Sequence, residues 1–99
     1  MDISVVIPLY NEEESLPELF AWIQRVMDAN HFSYEVIFVN DGSTDNSPEI
    51  IARYADKDPR IVVIDKANEG LAYARKSGIE AANGEYIQHL DGDDYLELD

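Results

Sequence analysis

The chain has 99 residues, a length that suits one domain. Hydrophobic residues make up 45% and charged residues 28%, the balance of an ordinary soluble globular chain; no apolar run approaches the roughly 20 residues of a membrane helix. A formal net charge of -14 repels nucleic acid and anionic lipid, and the lack of cysteine excludes disulfides and thiolate metal sites.

The opening Met1-Asp2-Ile3-Ser4 carries no basic stretch of the kind that begins a secretory signal. Ile3, Val5, Val6, Ile7 and Leu9 then form a near-continuous apolar run ending at Pro8-Leu9-Tyr10, which predicts a strand buried on both faces. After the polar turn 11–15, Leu16, Leu19, Phe20, Ile23, Val26 and Met27 recur at helical spacing, with Pro17 tolerable in the first turn and an end near Asn30. Tyr34 to Asn40 reads as a second strand, stopped by the turn and cap residues Asp41-Gly42-Ser43-Thr44-Asp45. A second helix runs through Ile50, Ile51, Tyr54 and Ala55, with Pro48 in its first turn, and Asp58-Pro59 breaks it. Arg60 to Asp65 is a third strand. A third helix begins around Asn68-Glu69-Gly70, with Gly70, Ala74, Gly78 and Ala82 as a stripe of small residues that would let it lie close to a sheet. Asn83-Gly84 is expected to end it in a left-handed cap. Glu85 to Leu90 is the fourth strand, followed by Asp91-Gly92-Asp93-Asp94.

Alternation of strands and helices through short connections predicts a three-layer α/β/α, Rossmann-like fold on a mainly parallel sheet with right-handed crossovers. Such sheets bind ligands beyond the carboxyl ends of their strands. The distinctive polar residues stand there: Tyr10 and Glu12 after strand one, Asn40-Asp41 after strand two, Asn68 after strand three, Asp91-Gly92-Asp93-Asp94 after strand four. A strand order of 3-2-1-4 would crowd all but the third group into one crevice.

Asp91 and Asp93 stand at i and i+2, so in an extended segment they point to one side and can share a cation. A hard divalent ion, Mg²⁺ or Mn²⁺, suits two carboxylates and shares them with phosphate oxygens; the same residues would equally make a solvated acidic turn. Asp41 is either a cap or turn residue or an acceptor for the ring N–H of a uracil-like base. Tyr10 and Glu12 offer an aromatic face and a polar group near a ribose, or merely cover the sheet edge and a helix start. His31 and His89 have no metal spacing, no Ser/His/carboxylate set suggests a nucleophilic triad, and the glycines form neither a dinucleotide fingerprint nor a P-loop.

Val5-Val6-Ile7-Pro8-Leu9-Tyr10-Asn11-Glu12 resembles the opening strand of family 2 glycosyltransferases. Val39-Asn40-Asp41-Gly42-Ser43-Thr44-Asp45 resembles their second-strand motif, and Asn68-Glu69-Gly70 with Ala74-Arg75 and Gly78 their third-helix motif. Gly84-Glu85-Tyr86-Ile87 followed by Leu90-Asp91-Gly92-Asp93-Asp94 resembles their fourth strand and DXD signature. Lys76 departs from the asparagine frequent at that place.

The resemblance implies a GT-A nucleotide-diphospho-sugar transferase fold and, as donor, a nucleotide-diphosphate sugar, often a UDP-sugar. By motif match, Pro8, Tyr10, Glu12 and Asp41 would line the base and ribose pocket. Arg75 would approach the donor, Asp91 would lie by the ribose and diphosphate and share the metal, and Asp93 would bind Mn²⁺ or Mg²⁺. The implied reaction is inverting transfer of a sugar to an acceptor hydroxyl on a lipid-linked, polysaccharide or protein acceptor, as in cell-wall or polysaccharide synthesis, with a carboxylate base further downstream. Residues 1–99 then read as the truncated, donor-binding N-terminal half of a domain of about 200 residues or more. Inactivity alone, self-association through an exposed fourth strand, and a cytoplasmic place at the inner membrane face are the matching expectations. A non-catalytic nucleotide-binding or interaction module is the alternative. A signalling receiver domain fits less well, since strand one lacks the acidic pair it would need.

Overall fold

The computed structural model describes residues 2–10, 14–67 and 69–89. Elements alternate along the chain: β1 (Ile3–Leu9), α1 (Leu16–Ala29), β2 (Tyr34–Asp41), α2 (Ser47–Lys57), β3 (Ile61–Lys66), α3 (Leu71–Ala81) and β4 (Tyr86–His89). All neighbouring strands pair in parallel, in the order β3-β2-β1-β4. The expected strand order is therefore the one observed.

Connection handedness explains the layers. The steps β1 to β2 and β2 to β3 move across the sheet in one direction, so right-handed crossovers put α1 and α2 on the same face. The step from β3 to β4 returns over the sheet, which sends α3 to the opposite face. Core contacts agree. Val5, Ile7 and Leu9 of β1 and Val36 and Phe38 of β2 meet Leu16, Leu19, Phe20 and Ile23 of α1 and Ile51 of α2. The alternate residues Val6, Ile37 and Val39 meet Ala74 of α3. With both faces covered, β1 and β2 show runs of buried residues rather than an alternation.

α3 uses small residues as expected, but in a shorter stripe. A Cβ on Gly78 would lie 2.3 Å from Val6 Cγ1, so only glycine lets this helix reach β1 so closely. Gly70 falls outside the helix, with φ 102° and ψ 155°, a conformation essentially reserved for glycine. Nor does Asn83-Gly84 form a left-handed cap. Ala82 ends the helix with extended backbone at φ -70° and ψ 139°. Gly84 serves close approach instead: a Cβ there would lie 2.5 Å from the Ser4 backbone nitrogen.

The same junction is tied to the sheet by a buried carboxylate. Glu35, 4% exposed on β2, accepts from Ser4 Oγ at 2.6 Å and from the Asn83 backbone N–H at 2.6 Å. The Gly84 N–H donates in turn to Ser4 Oγ at 2.7 Å. Burial acts to raise the carboxyl's affinity for protons, but the Ser4 and Asn83 hydrogen bonds outweigh it and hold the group below the ordinary range. At the start of β2, Arg60 stacks over the Tyr34 ring at 4.4 Å and pairs with Asp58 at 2.8 Å.

Candidate functional site

Strand alternation decides which side chains can meet. Asp41 follows Glu35, Ile37 and Val39 on the face covered by α3, and Pro8 follows Ser4 and Val6 on that face. Lys66, the register partner of Asp41, follows Ile64 there as well. Asn40 and Asp65 point to the opposite face, where Asn40 Nδ2 donates to Asp65 Oδ1 at 3.1 Å. Asn40 Oδ1 also accepts the Ser43 N–H at 3.2 Å, which pins the turn after β2.

Asp41 is 2% exposed. Its Oδ1 accepts the Glu69 N–H and its Oδ2 the Gly70 N–H, both at 3.0 Å. The carboxylate thus caps the entry to α3, not the helix that follows its own strand, and its charge suits the positive end of that helix dipole. The turn at Gly70 is what lets two successive N–H groups face one carboxylate. Lys66 Nζ lies 3.9 Å from Asp41 Oδ1 and 3.7 Å from Glu69 Oε1.

Pro8 is buried at the end of β1, opposite Val39, and Tyr10 lies just past that strand at 40% exposure. Pro8 and Asp41 therefore share a face at the carboxyl ends of adjacent strands. Arg75 is half-buried on α3, the helix covering that face. Glu12, Asp91 and Asp93 lie outside the described residues, as does Asn68. Among the described residues there is no group of three or more His, Cys, Asp or Glu side chains fit to hold a metal.

The strand order by itself sets the segment after β3 apart from the crevice; the structure joins it to β2 through Lys66, Glu69 and Gly70. Lys66 was missed, because its pairing with Asp41 depends on strand register. Two other grooves, of about 380 Å³ between α1 and α2 and about 250 Å³ beside Trp22 and Phe32, contain none of Pro8, Tyr10, Asp41 or Lys66.

Polar side chains gathered beyond the carboxyl ends of a parallel, doubly covered sheet stand where α/β proteins of this architecture bind ligands. The chain belongs to Glycosyl transferase family 2, whose family model matches residues 4–99. It is 45% identical over 94 residues to the uncharacterized glycosyltransferase EpsJ of Bacillus subtilis, covering 95% of this chain and 26% of that protein. It is 40% identical to glycosyltransferase GlyG of Streptococcus pneumoniae, over 95% of this chain and 31% of that protein. The chain thus spans about a quarter to a third of the length of these relatives. Its fold is that of GT-A glycosyltransferases. The S. aureus TarS 1-349 structure in complex with UDP superposes with a TM-score of 0.82 at 31% identity, over 94% of this chain and 28% of that one. The mannosyltransferase PcManGT of Pyrobaculum calidifontis, in complex with GDP-Man and Mn²⁺, gives 0.77 at 26% identity, over 92% of this chain and 27% of that one.

Proposed function

We propose that this chain supplies the donor-binding part of a glycosyltransferase that moves a sugar from a nucleotide-diphosphate sugar, in the first instance a UDP-sugar, to an acceptor hydroxyl. The observation that carries the reading is Asp41: an enclosed carboxylate at the end of β2, oriented by two backbone N–H groups, on the same face as Pro8. A carboxylate has about four acceptor positions, and two N–H bonds leave room for a base N–H. TarS in complex with UDP and PcManGT in complex with GDP-Man and Mn²⁺ support a nucleotide donor and a divalent ion.

In this reading Asp41 accepts the ring N–H of the base, while Pro8, Tyr10 and Glu12 line the base and ribose. Arg75 approaches the diphosphate, and Asp91 lies beside it. Asp93, with Asp91, would hold Mn²⁺ or Mg²⁺, hard ions matched to carboxylate oxygens. When bound, such an ion would supply Lewis-acid charge to offset the growing negative charge of the leaving diphosphate. Inversion at the sugar then needs a carboxylate base for the acceptor hydroxyl.

Calorimetric titration with UDP, in Mn²⁺ and in EDTA, tests the proposal. Binding is expected to need the metal and to fall at least about tenfold in Asp93→Ala, roughly 1.4 kcal/mol. UDP affinity unchanged from wild type in Mn²⁺, both in EDTA and in Asp93→Ala, would sink the metal role, and no UDP binding by the wild type would sink the donor-site reading.

A further inference from the structure

Lys66 is the last residue of β3 and the register partner of Asp41. Its side chain is 15% exposed, and its ammonium nitrogen is enclosed without a hydrogen-bond partner among the described residues. The neighbouring carboxylate oxygens, at 3.9 Å on Asp41 and 3.7 Å on Glu69, stand at ion-pair distance but beyond hydrogen-bond length. The Tyr73 ring, its centroid 5.9 Å from Nζ, offers a π face and no strong acceptor. An ammonium carries three N–H donors, and leaving them unmade in an enclosed position is costly.

Set side by side, Asp41 and Lys66 form an acceptor next to a donor. That is the complement of a ring N–H next to a carbonyl, the edge that uracil presents. Cytosine offers the reverse, a bare ring nitrogen next to an amino group. Against this pair cytosine would set acceptor on acceptor and donor on donor, and buried polar groups left unpaired are what produce large discrimination. We propose that Lys66 is a specificity-determining residue, which donates to the base carbonyl while Asp41 takes the adjacent N–H, so that the pair selects N–H/C=O bases over their amino counterparts. This rests on the donor-site reading above and adds to it the residue that chooses the base.

The test compares UDP with CDP, which differ only at the base, on the wild-type protein and on Lys66→Met. Wild type is expected to prefer UDP, and Lys66→Met to lower the UDP-to-CDP affinity ratio about tenfold. The ratio is an internal comparison, so a variant that weakens both ligands equally does not imitate the effect; an unchanged ratio overturns the inference. A second measurement needs no variant. Saturating UDP should shift the Lys66 Cε resonance of the wild-type protein, and a resonance that stays put overturns the inference even if Lys66→Met does not fold. If wild type binds neither nucleotide, the donor-site reading itself fails; if it binds UDP with the ratio untouched by Lys66→Met, only the role of Lys66 fails.

Discussion

Glu35 is an acid in a place where acids are expensive. It stands beside the apolar Tyr34 and Val36 on β2, almost wholly enclosed, and is retained because Ser4 and Asn83 meet its oxygens. Those bonds favour the charged form, so the folded protein binds a proton here less readily than the unfolded chain does. The stabilisation is therefore complete above the ordinary glutamate value of 4.5 and is lost as pH falls through the lower folded value. Glu35→Gln removes this titration and leaves one oxygen to do the work of two. Its expected cost is about 1–3 kcal/mol at neutral pH. Urea midpoints measured downward from pH 5 should fall less steeply for Glu35→Gln than for wild type. Parallel slopes would show that the carboxylate carries no charge-dependent stability. Asp41 contrasts with Glu35 in placement: both are buried acids held by backbone N–H groups, but Asp41 ends its strand, where a ligand can reach the sheet.

The connection from α3 to β4 shows how one element is seated on another. Gly78 lets α3 approach Val6, and Gly84 lets the chain pass against the Ser4 and Ile3 backbone. The Tyr86 N–H then bonds to the Asp2 carbonyl at 3.0 Å, setting β4 in register with β1. A methyl group on Gly84 would meet backbone at 2.5 Å and 2.7 Å, atoms that cannot rotate away. Gly84→Ala should therefore cost about 1–3 kcal/mol in denaturant unfolding. It should also speed amide exchange in β4 more than in β2, since β2 is flanked by strands on both sides and β4 stands at the end of the sheet. Uniform acceleration across both strands would contradict this local account.

The strand order and the three layers were legible because buried strands, amphipathic helices and short connections leave few alternatives once handedness is fixed. The boundaries were nearly so: β2 runs one residue further than expected, to Asp41, and β3 likewise, to Lys66. The interior polar contacts were not legible. Glu35 and Asn83 are 48 residues apart, and Asp41 and Gly70 are 29 apart. Nothing local marks such partners; only the register of the folded sheet brings them together. Gly70 misled for the related reason that a helical spacing of small residues does not reveal which of them lies before the first turn.

The proposed function puts the working face of the molecule at the carboxyl ends of the strands. Paramagnetic broadening of amide resonances by Mn²⁺ with UDP, compared with Mn²⁺ alone, tests that placement most directly. The added broadening is expected at Tyr10, Asp41, Glu69 and Gly70, with the α1–α2 groove around Phe20 and Tyr54 unaffected. Broadening centred on that groove, or no difference between Mn²⁺ with UDP and Mn²⁺ alone, would contradict the assignment.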